Sequence, residues 1–208
     1  MPLTLADMRS TIEDDLARSD LTTQVMAAIK KSVEDYEDER FIFNEVKDSS
    51  VTLSTSLASL PLTSLGPRWQ KFDRIRRKLS DNNYIDLIPR DYRYIMAAQD
   101  SPILSTPNEY CVYGDAIQFD CRAAADYTLV MDGVRHISTA SSSTDASAWF
   151  NEGADLIRAR AKKDLYLHVI HDEAKASTMD TAERLAYGSL KGKMNRLKSS
   201  GFIRASEF

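Results

Sequence analysis

The sequence carries two long polar stretches near its end, DASAWFNEGADLIRARAKKDLYLHVIHDEAKAS at residues 145–177 and TMDTAERLAYGSLKGKMNRLKSSG at residues 178–201. In both stretches apolar residues recur every three or four positions, which is the spacing of one face of an amphipathic helix. The sequence therefore predicts two long helices, each with one apolar stripe. The first stripe consists of Trp149, Ile157, Ala161, Leu165 and His168, and the second of Ala182, Ala186, Leu190, Met194 and Leu197.

The first forty residues predict another pair of helices. Thr4 precedes a run of periodically spaced apolar residues, and Asp7 lies three positions after Thr4. This is the pattern of a helix N-cap with a capping box. A second apolar stripe runs from Leu21 to Tyr36. Because the linker between the two runs is short, we expect an antiparallel helical hairpin.

The residues between these helical ends have the pattern of β-structure. Short alternating runs such as Arg74–Leu79, Tyr84–Ile88 and Tyr127–Met131 are bounded by Gly, Pro, Asn or Ser. Residues 50–72 are rich in serine and leucine, and two placements stay open for them. They either pack within the β-structure or extend onto a neighbouring molecule.

The predicted fold class is α+β. An N-terminal helical hairpin at residues 1–43 and two long C-terminal helices within residues 138–199 form a helical bundle. A small, mostly antiparallel β lobe at residues 44–137 is inserted between them, and residues 200–208 form a C-terminal tail.

The two cysteines lie in one predicted β-hairpin. A two-residue turn at Gly114-Asp115 pairs Val112 with Ile117, and this register places Cys111 and Cys121 on opposite faces. Two cysteines arranged in this way cannot adopt disulfide geometry. We expect both thiols to be reduced, with Cys121 in the core and Cys111 partly exposed.

The net charge of −4 is mild, but its distribution along the chain is uneven. Residues 1–50 carry 12 acidic and 6 basic residues, residues 68–93 carry 8 basic and 4 acidic, and residues 188–208 carry 5 basic and 1 acidic. Opposite patches suit head-to-tail contacts between copies, although an ordinary solvated surface explains them equally well. The hypothetical inter-subunit or partner patch consists of Arg68, Lys71, Arg74, Arg76, Arg77, Lys78, Glu34, Asp35 and Asp38.

No motif of an enzyme or a nucleotide site occurs in the sequence. The seven glycines form neither a dinucleotide-binding pattern nor a P-loop, and no nucleophile elbow is found. His168 and His171 are the best metal candidates, but two histidines near the C-terminal end of a helix are more often a favourable dipole contact. We expect no catalytic residue, no metal and no cofactor.

The basic and aromatic segment Arg68–Lys78 is the basis of an alternative function. Cations interleaved with Trp69 and Phe72 have the composition of a nucleic-acid-binding surface. The alternative is therefore a nucleic-acid-binding module. An edge strand protected by its charges explains the same residues equally well.

In the order of several short sequence segments, the chain resembles the head-to-tail connector (adaptor, or neck) proteins of tailed bacteriophages. These segments are the opening helix pair from Leu5 to Phe43, Tyr84-Ile-Asp-Leu-Ile-Pro, the hairpin segment from Pro107 to Phe119, Tyr127-Thr-Leu-Val-Met, and Trp149-Phe-Asn-Glu-Gly-Ala-Asp-Leu-Ile. Together they cover nearly the whole chain. Their specificity comes from their order, because none is a catalytic signature.

The resemblance implies a structural virion protein without enzyme activity. It implies a ring of copies, commonly twelve, beneath the portal of a filled capsid, with the portal and further tail or neck proteins as partners. DNA would pass through the ring without sequence-specific binding. The start of the chain lacks a signal-peptide pattern and no stretch approaches the ~18 apolar residues of a membrane span, so we expect synthesis in the host cytoplasm and no membrane partner.

The basic and apolar end of the chain is the predicted portal-docking segment. Its cations and large apolar residues suit folding on contact with a partner. The hypothetical docking residues are Lys191, Lys193, Arg196, Phe202, Ile203, Arg204 and Phe208.

Overall fold

The computed structural model describes residues 3–66, 68–99, 103–137, 142 and 145–199, with side chains as far as residue 195. The chain mixes helices and sheets in the predicted order, which confirms the α+β fold class. It divides into two compact units. The helical unit consists of Met1–Phe43 with Ile137–Phe208, and the β unit consists of Asn44–His136.

Within the described residues, the strands lie between an N-terminal and a C-terminal group of helices, and one helix, α3, lies among them. In chain order the helices are α1 (Leu5–Leu16), α2 (Thr22–Glu34), α3 (Tyr92–Gln99), α4 (Ala148–Asn151), α5 (Ala154–Leu165) and α6 (Glu173–Ser199). The strands are β1 (Glu45–Leu53), β2 (Ser59–Pro61), β3 (Trp69–Ser80), β4 (Asn83–Asp86), β5 (Ile88–Pro89), β6 (Leu104–Ser105), β7 (Glu109–Tyr113), β8 (Ala116–Phe119), β9 (Arg122–Ala123) and β10 (Tyr127–Arg135). None of the helices in the described ranges is both long enough and apolar enough to span a bilayer.

The first helix begins as the sequence predicts. The Thr4 side chain accepts a hydrogen bond from the Asp7 backbone N–H, and the Asp7 carboxylate accepts one from the Thr4 backbone N–H. This reciprocal capping box satisfies two of the backbone donors that every helix leaves open at its start. The helix ends at Ala17, whose left-handed backbone (φ 51°) turns the chain toward α2.

The C-terminal helices break at different places from those the sequence predicts. The first stretch is interrupted before Gly153 and ends in a π-helical turn, Tyr166–Ile170. His171 then adopts a left-handed backbone (φ 59°), and the Asp172 carboxylate accepts a hydrogen bond from the Lys175 N–H at the start of α6. The predicted boundary near residue 177 is therefore wrong, because a left-handed residue followed by an aspartate cap ends one helix and starts the next.

One apolar core holds the helical unit together. Helix α5 packs against both α2 and α6, and its buried residues Leu156, Ile157, Ala161 and Leu165 face this core. The predicted stripe is correct up to Leu165. It is wrong for His168, which is exposed because the helix widens into the π-helical turn there.

The β unit is built from two four-stranded sheets that share one core, together with a two-stranded parallel sheet of β6 and β9. The strand orders are β1-β10-β3-β4 and β2-β8-β7-β5. The chain passes from the first sheet to the second twice, once between β1 and β2 and once between β4 and β5. Strand β3 lies between β10 and β4, so its interpretation as an edge strand is wrong.

Most of the serine- and leucine-rich segment packs within the β unit. It contains the end of β1, all of β2, a short 3-10 helix at Leu62–Leu65 and the start of β3. Leu53, Leu60, Leu65 and Trp69 are buried in the core. Of the two placements left open by the sequence, packing within the lobe is therefore the one observed for the described residues.

The cysteine hairpin has the predicted register, with Val112 opposite Ile117. Both cysteines are free, as expected. Their burial is the reverse of the prediction: Cys111 is buried and Cys121 is half-buried. Helix α3 packs on β7 and covers the face that carries Cys111, whereas Cys121 lies beyond the end of β8.

Candidate interaction surfaces

The two histidines singled out as metal candidates do not form a site. His168 and His171 are both exposed, and His168 Nε2 lies 3.7 Å from Asp164 Oδ1 on its own helix. Among the residues the structure describes, no three His, Cys, Asp or Glu side chains are grouped so that they could hold a metal ion.

A network of polar and charged side chains joins α5, α6 and the turn that follows α2, with Glu183 at its centre. Glu183 is 7% exposed. Its carboxylate accepts a short hydrogen bond from the Tyr36 hydroxyl and one of 2.9 Å from Lys163 Nζ, and Arg160 Nη1 lies 3.6 Å away. Asp180 accepts a second hydrogen bond from Lys163, at 2.5 Å. Because two cations and a phenol surround it, the buried carboxylate is compensated within the unit.

The network shifts the proton equilibria of its members. Burial and the hydrogen bond to Glu183 raise the pKa of Tyr36. The hydrogen bond to Asp180 raises the pKa of Lys163, and in return Lys163 lowers the pKa of Asp180. All three groups therefore keep their ordinary charges at neutral pH.

The acidic segment that follows α2 contributes to the same region. Asp35 Oδ2 lies 2.7 Å from Arg160 Nη2, and Glu39 Oε2 lies 2.7 Å from Lys191 Nζ. Glu34 and Asp38 are both exposed. Glu34 makes no ion pair with any described residue, whereas Asp38 is not without an interaction partner. The predicted acidic patch is thus divided between residues that hold the bundle together and residues on its surface.

A groove of about 340 Å³ lies beside this network. The rings of Tyr36 and Tyr187 stack with centroids 6.0 Å apart. The groove is open to solvent and has both acidic and basic walls, so it has no single charge preference. Its lining residues are Tyr36, Glu39, Lys163, Asp180, Glu183, Arg184 and Tyr187.

The predicted portal-docking residues are only partly described. Lys191 is half-buried in the ion pair with Glu39, and Lys193 is exposed on α6. Arg196 lies in α6, and its side chain is outside the described part. Phe202, Ile203, Arg204 and Phe208 lie outside the described residues.

The basic segment of β3 does not form one exposed patch. Arg74 pairs with Asp86 at 2.6 Å, and Lys78 pairs with Asp81 at 2.7 Å. Lys71 lies 3.7 Å from Asp73, and Arg68 is exposed. These pairs leave few cations of the segment available for a phosphate backbone.

Two arginines of the segment are buried, which alternation along a strand does not predict. Arg76 Nη2 lies 2.8 Å from Asp48 Oδ1 and 2.9 Å from Asp132 Oδ2, so one guanidinium joins β1, β10 and β3. Asp48 has a left-handed backbone (φ 58°) at an irregularity in β1. The neighbouring Arg77 is also buried, 8% exposed.

The apolar surface of the β unit was not predicted from the sequence. Among the described residues, ten of the fourteen large apolar side chains that are exposed belong to this unit. Tyr113 and Tyr94 are 58% and 52% exposed, and the ring of Tyr113 stacks on Tyr92 with centroids 3.8 Å apart. Exposed tyrosines that are already ordered are common anchors of protein interfaces. The high density of tyrosines between residues 84 and 113 is the sequence signal that would have indicated this exposed apolar surface.

Comparison with known proteins agrees with the resemblance found in the sequence. No curated protein matches the chain. The model of the SU10 adaptor protein family matches residues 3–204, which include both the helical and the β unit. The chain therefore belongs to the SU10 adaptor protein family, a family of bacteriophage adaptor proteins.

Proposed function

We propose that this protein is the head-to-tail adaptor of a tailed phage. In the virion it forms a ring beneath the portal, extends the DNA channel and provides the platform for tail attachment. The single observation that carries the proposal is the family match, which extends over residues 3–204. A structural role of this kind needs complementary protein surfaces rather than a catalytic constellation.

The contacts between copies use the surfaces that the two units leave exposed. The exposed tyrosines Tyr94 and Tyr113 of the β unit support a protein interface, because ordered, exposed tyrosines are common interface anchors. Arg68 and Glu34 are the members of the predicted charge patches that stay exposed without an ion pair to any described residue. The ring contact is heterologous, with a different patch on each side of the subunit, and twelve copies are expected.

The end of the chain docks onto the portal in this proposal. Lys193, on the exposed side of α6, begins the docking segment. The segment continues through Arg196 to the apolar anchors Phe202, Ile203 and Phe208 and includes Arg204. Such a segment orders on contact and contributes a few large apolar anchors to the interface.

The test is assembly on a portal template. Purified protein is mixed with DNA-filled heads that carry the portal but lack this protein, and the heads are analysed by sedimentation and electron microscopy. We expect the full chain to load and the variant that lacks residues 200–208 to remain folded in solution without loading. Failure of the full chain to load would refute the adaptor proposal. Normal loading of the truncated chain would refute only the docking role of the tail.

A further inference from the structure

The outer strands of the second sheet are closed to further pairing by prolines. This sheet ends in β2 and β5, which carry Pro61 and Pro89. Backbone N–H groups alternate between the two sides of a strand, and the next residues, Leu62 and Arg90, donate theirs inward, into the sheet. Both prolines therefore stand at outward-facing positions. Because proline has no N–H, it prevents another strand from pairing there.

The outer strands of the first sheet, β1 and β4, have no such protection at their outward-facing positions. The Leu87 N–H donates to the Ile75 carbonyl, which shows that Ile75 turns its backbone groups toward β4. The register of the sheet carries this alternation across to β1. The outward-facing backbone groups then belong to four exposed residues, Ser50, Thr52, Tyr84 and Asp86. In the described part of the chain, β1 pairs with β10 alone and β4 with β3 alone.

The strand directions favour a contact between the two open edges. Every neighbouring pair in the four-stranded sheet is antiparallel, so β1 and β4 run in opposite directions. When two copies are related by a rotation about an axis along the strands, β4 of one meets β1 of the other antiparallel. Such a contact joins two different edges and can be repeated around a ring. An isologous dimer would instead join β1 to β1 or β4 to β4.

We propose that β4 of one copy pairs with β1 of the next, so that the first sheet continues from subunit to subunit. The proposal rests on the adaptor function, because it needs the ring of copies, and it specifies the contact between them. The occupant of each open edge is a second copy of this chain. The irregularity at Asp48 limits the pairing to the regular part of β1, Ser49–Leu53, which is close in length to β4.

One register uses all of the outward-facing backbone groups. It places Ser50 directly opposite Asp86. It also places Thr52 opposite Tyr84, and the two pairs together form about four backbone hydrogen bonds. The side chains of these pairs are polar or, for Tyr84, carry a hydroxyl, and they lie on the side of the sheet away from the core.

The same register brings two apolar side chains together on the core side. Val51 lies opposite Ile85 in it. Val51 packs against the core of the β unit, whereas Ile85 is 40% exposed although it shares its face of the sheet with the buried Ile75. Pairing covers Ile85 and sets apolar against apolar and polar against polar. Cross-strand pairs of this kind fix the register of a sheet.

A disulfide between copies tests the register directly. Opposite residues of a non-hydrogen-bonded pair have Cα atoms about 4.5 Å apart, which is within disulfide geometry. The double variant with Val51→Cys and Ile85→Cys is loaded onto heads, oxidised and analysed by non-reducing gel electrophoresis. We expect a ladder of covalent oligomers that reduction returns to one band. Each single variant is a matched control and should remain one band, which also controls for the native Cys111 and Cys121.

A proline at the edge separates pairing between copies from folding. Thr52→Pro removes an outward-facing N–H and leaves the bonds between β1 and β10 in place, so we expect an unfolding midpoint close to that of the wild type. On heads we expect about a tenfold loss of loading. Ser59→Pro makes the same change at an outward-facing position of β2, whose edge Pro61 already closes, and should load like the wild type.

The outcomes distinguish this inference from the proposed function. If the wild-type chain does not load, the adaptor proposal itself fails. If the double variant loads without forming the ladder, or if Thr52→Pro loads normally, only the pairing of β4 with β1 is refuted. A covalent dimer from either single variant would show an isologous contact and would overturn the pairing as well. If Thr52→Pro does not fold, the ladder alone decides.

Discussion

Lys191 on α6 and Glu39 beyond the end of α2 form an ion pair, with Nζ and Oε2 2.7 Å apart. The same ammonium group donates a hydrogen bond to the Arg40 carbonyl at 3.1 Å and lies 4.7 Å from the centre of the Phe41 ring. Three different contacts therefore tie α6 to the segment that follows α2. Although Lys191 belongs to the predicted docking segment, its contacts within the helical unit give it a structural role.

The first prediction separates this structural role from docking by comparing Lys191→Met with Lys193→Met. Both partners of the ion pair are partly exposed, so we expect Lys191→Met to lower the free energy of unfolding by about 1 kcal/mol. Lys193 is exposed on the same helix, and its substitution should change stability by less than about 0.5 kcal/mol. Urea unfolding measures both values. If Lys193 contributes to docking, Lys193→Met alone weakens loading onto heads without loss of stability.

The second prediction concerns the pH dependence of the same pair. The hydrogen bond from Lys191 holds the pKa of Glu39 below its usual value of 4.5. A carboxyl whose pKa is lower in the folded state stabilises the protein above its unfolded pKa and loses that contribution as the pH falls through the folded value. The stability difference between wild type and Lys191→Met should therefore shrink below about pH 4.5. A difference that stays constant down to pH 3, measured by urea unfolding, would contradict the ion pair.

The sequence predicted those features that depend on local patterns. Periodicity identified the amphipathic helices, and the Thr4 and Asp7 pair identified the first cap, because each signal lies within a few residues of its effect. The hairpin register followed from the turn at Gly114-Asp115 for the same reason.

The sequence did not predict features that depend on partners distant along the chain. Cys111 is buried by α3, and Glu183 is buried because Tyr36 reaches it from the turn after α2 and Lys163 from α5. The burial of Arg76 similarly depends on Asp132, 56 positions away. No local sequence pattern shows that a carboxylate far along the chain neutralises an arginine. For this reason the segment Arg68–Lys78 was predicted as an exposed basic patch.

The third prediction concerns the ion pairs that surround the buried Glu183 carboxylate. It is tested by a substitution that removes the charge of Glu183. Glu183→Gln keeps the shape of the side chain but leaves Lys163 and Arg160 without the central negative charge. Removing one partner of a largely buried ion pair typically costs about 3 kcal/mol. Glu173→Gln, at an exposed position in the first turn of the same helix, is the matched control and should cost less than about 1 kcal/mol. Equal unfolding midpoints for the two variants would show that the network adds no stability.

The fourth prediction uses two glycines with opposite surroundings. A Cβ atom at Gly133 would lie 2.1 Å from the Lys71 carbonyl oxygen, where β10 and β3 shift register. The backbone of one strand must move to admit it, so we expect Gly133→Ala to destabilise the protein by about 3 kcal/mol. At Gly188 in α6 the added methyl group meets no atom within 4 Å.

Gly188→Ala is therefore expected to stabilise the protein by about 0.5–1 kcal/mol, because alanine loses less backbone entropy than glycine in a helix. Thermal unfolding followed by circular dichroism compares the two variants with the wild type. The close approach of β10 and β3 predicts opposite signs for the two changes in midpoint. A midpoint for Gly133→Ala equal to that of the wild type would contradict this approach, since no alanine fits at the observed distance without displacing the Lys71 carbonyl.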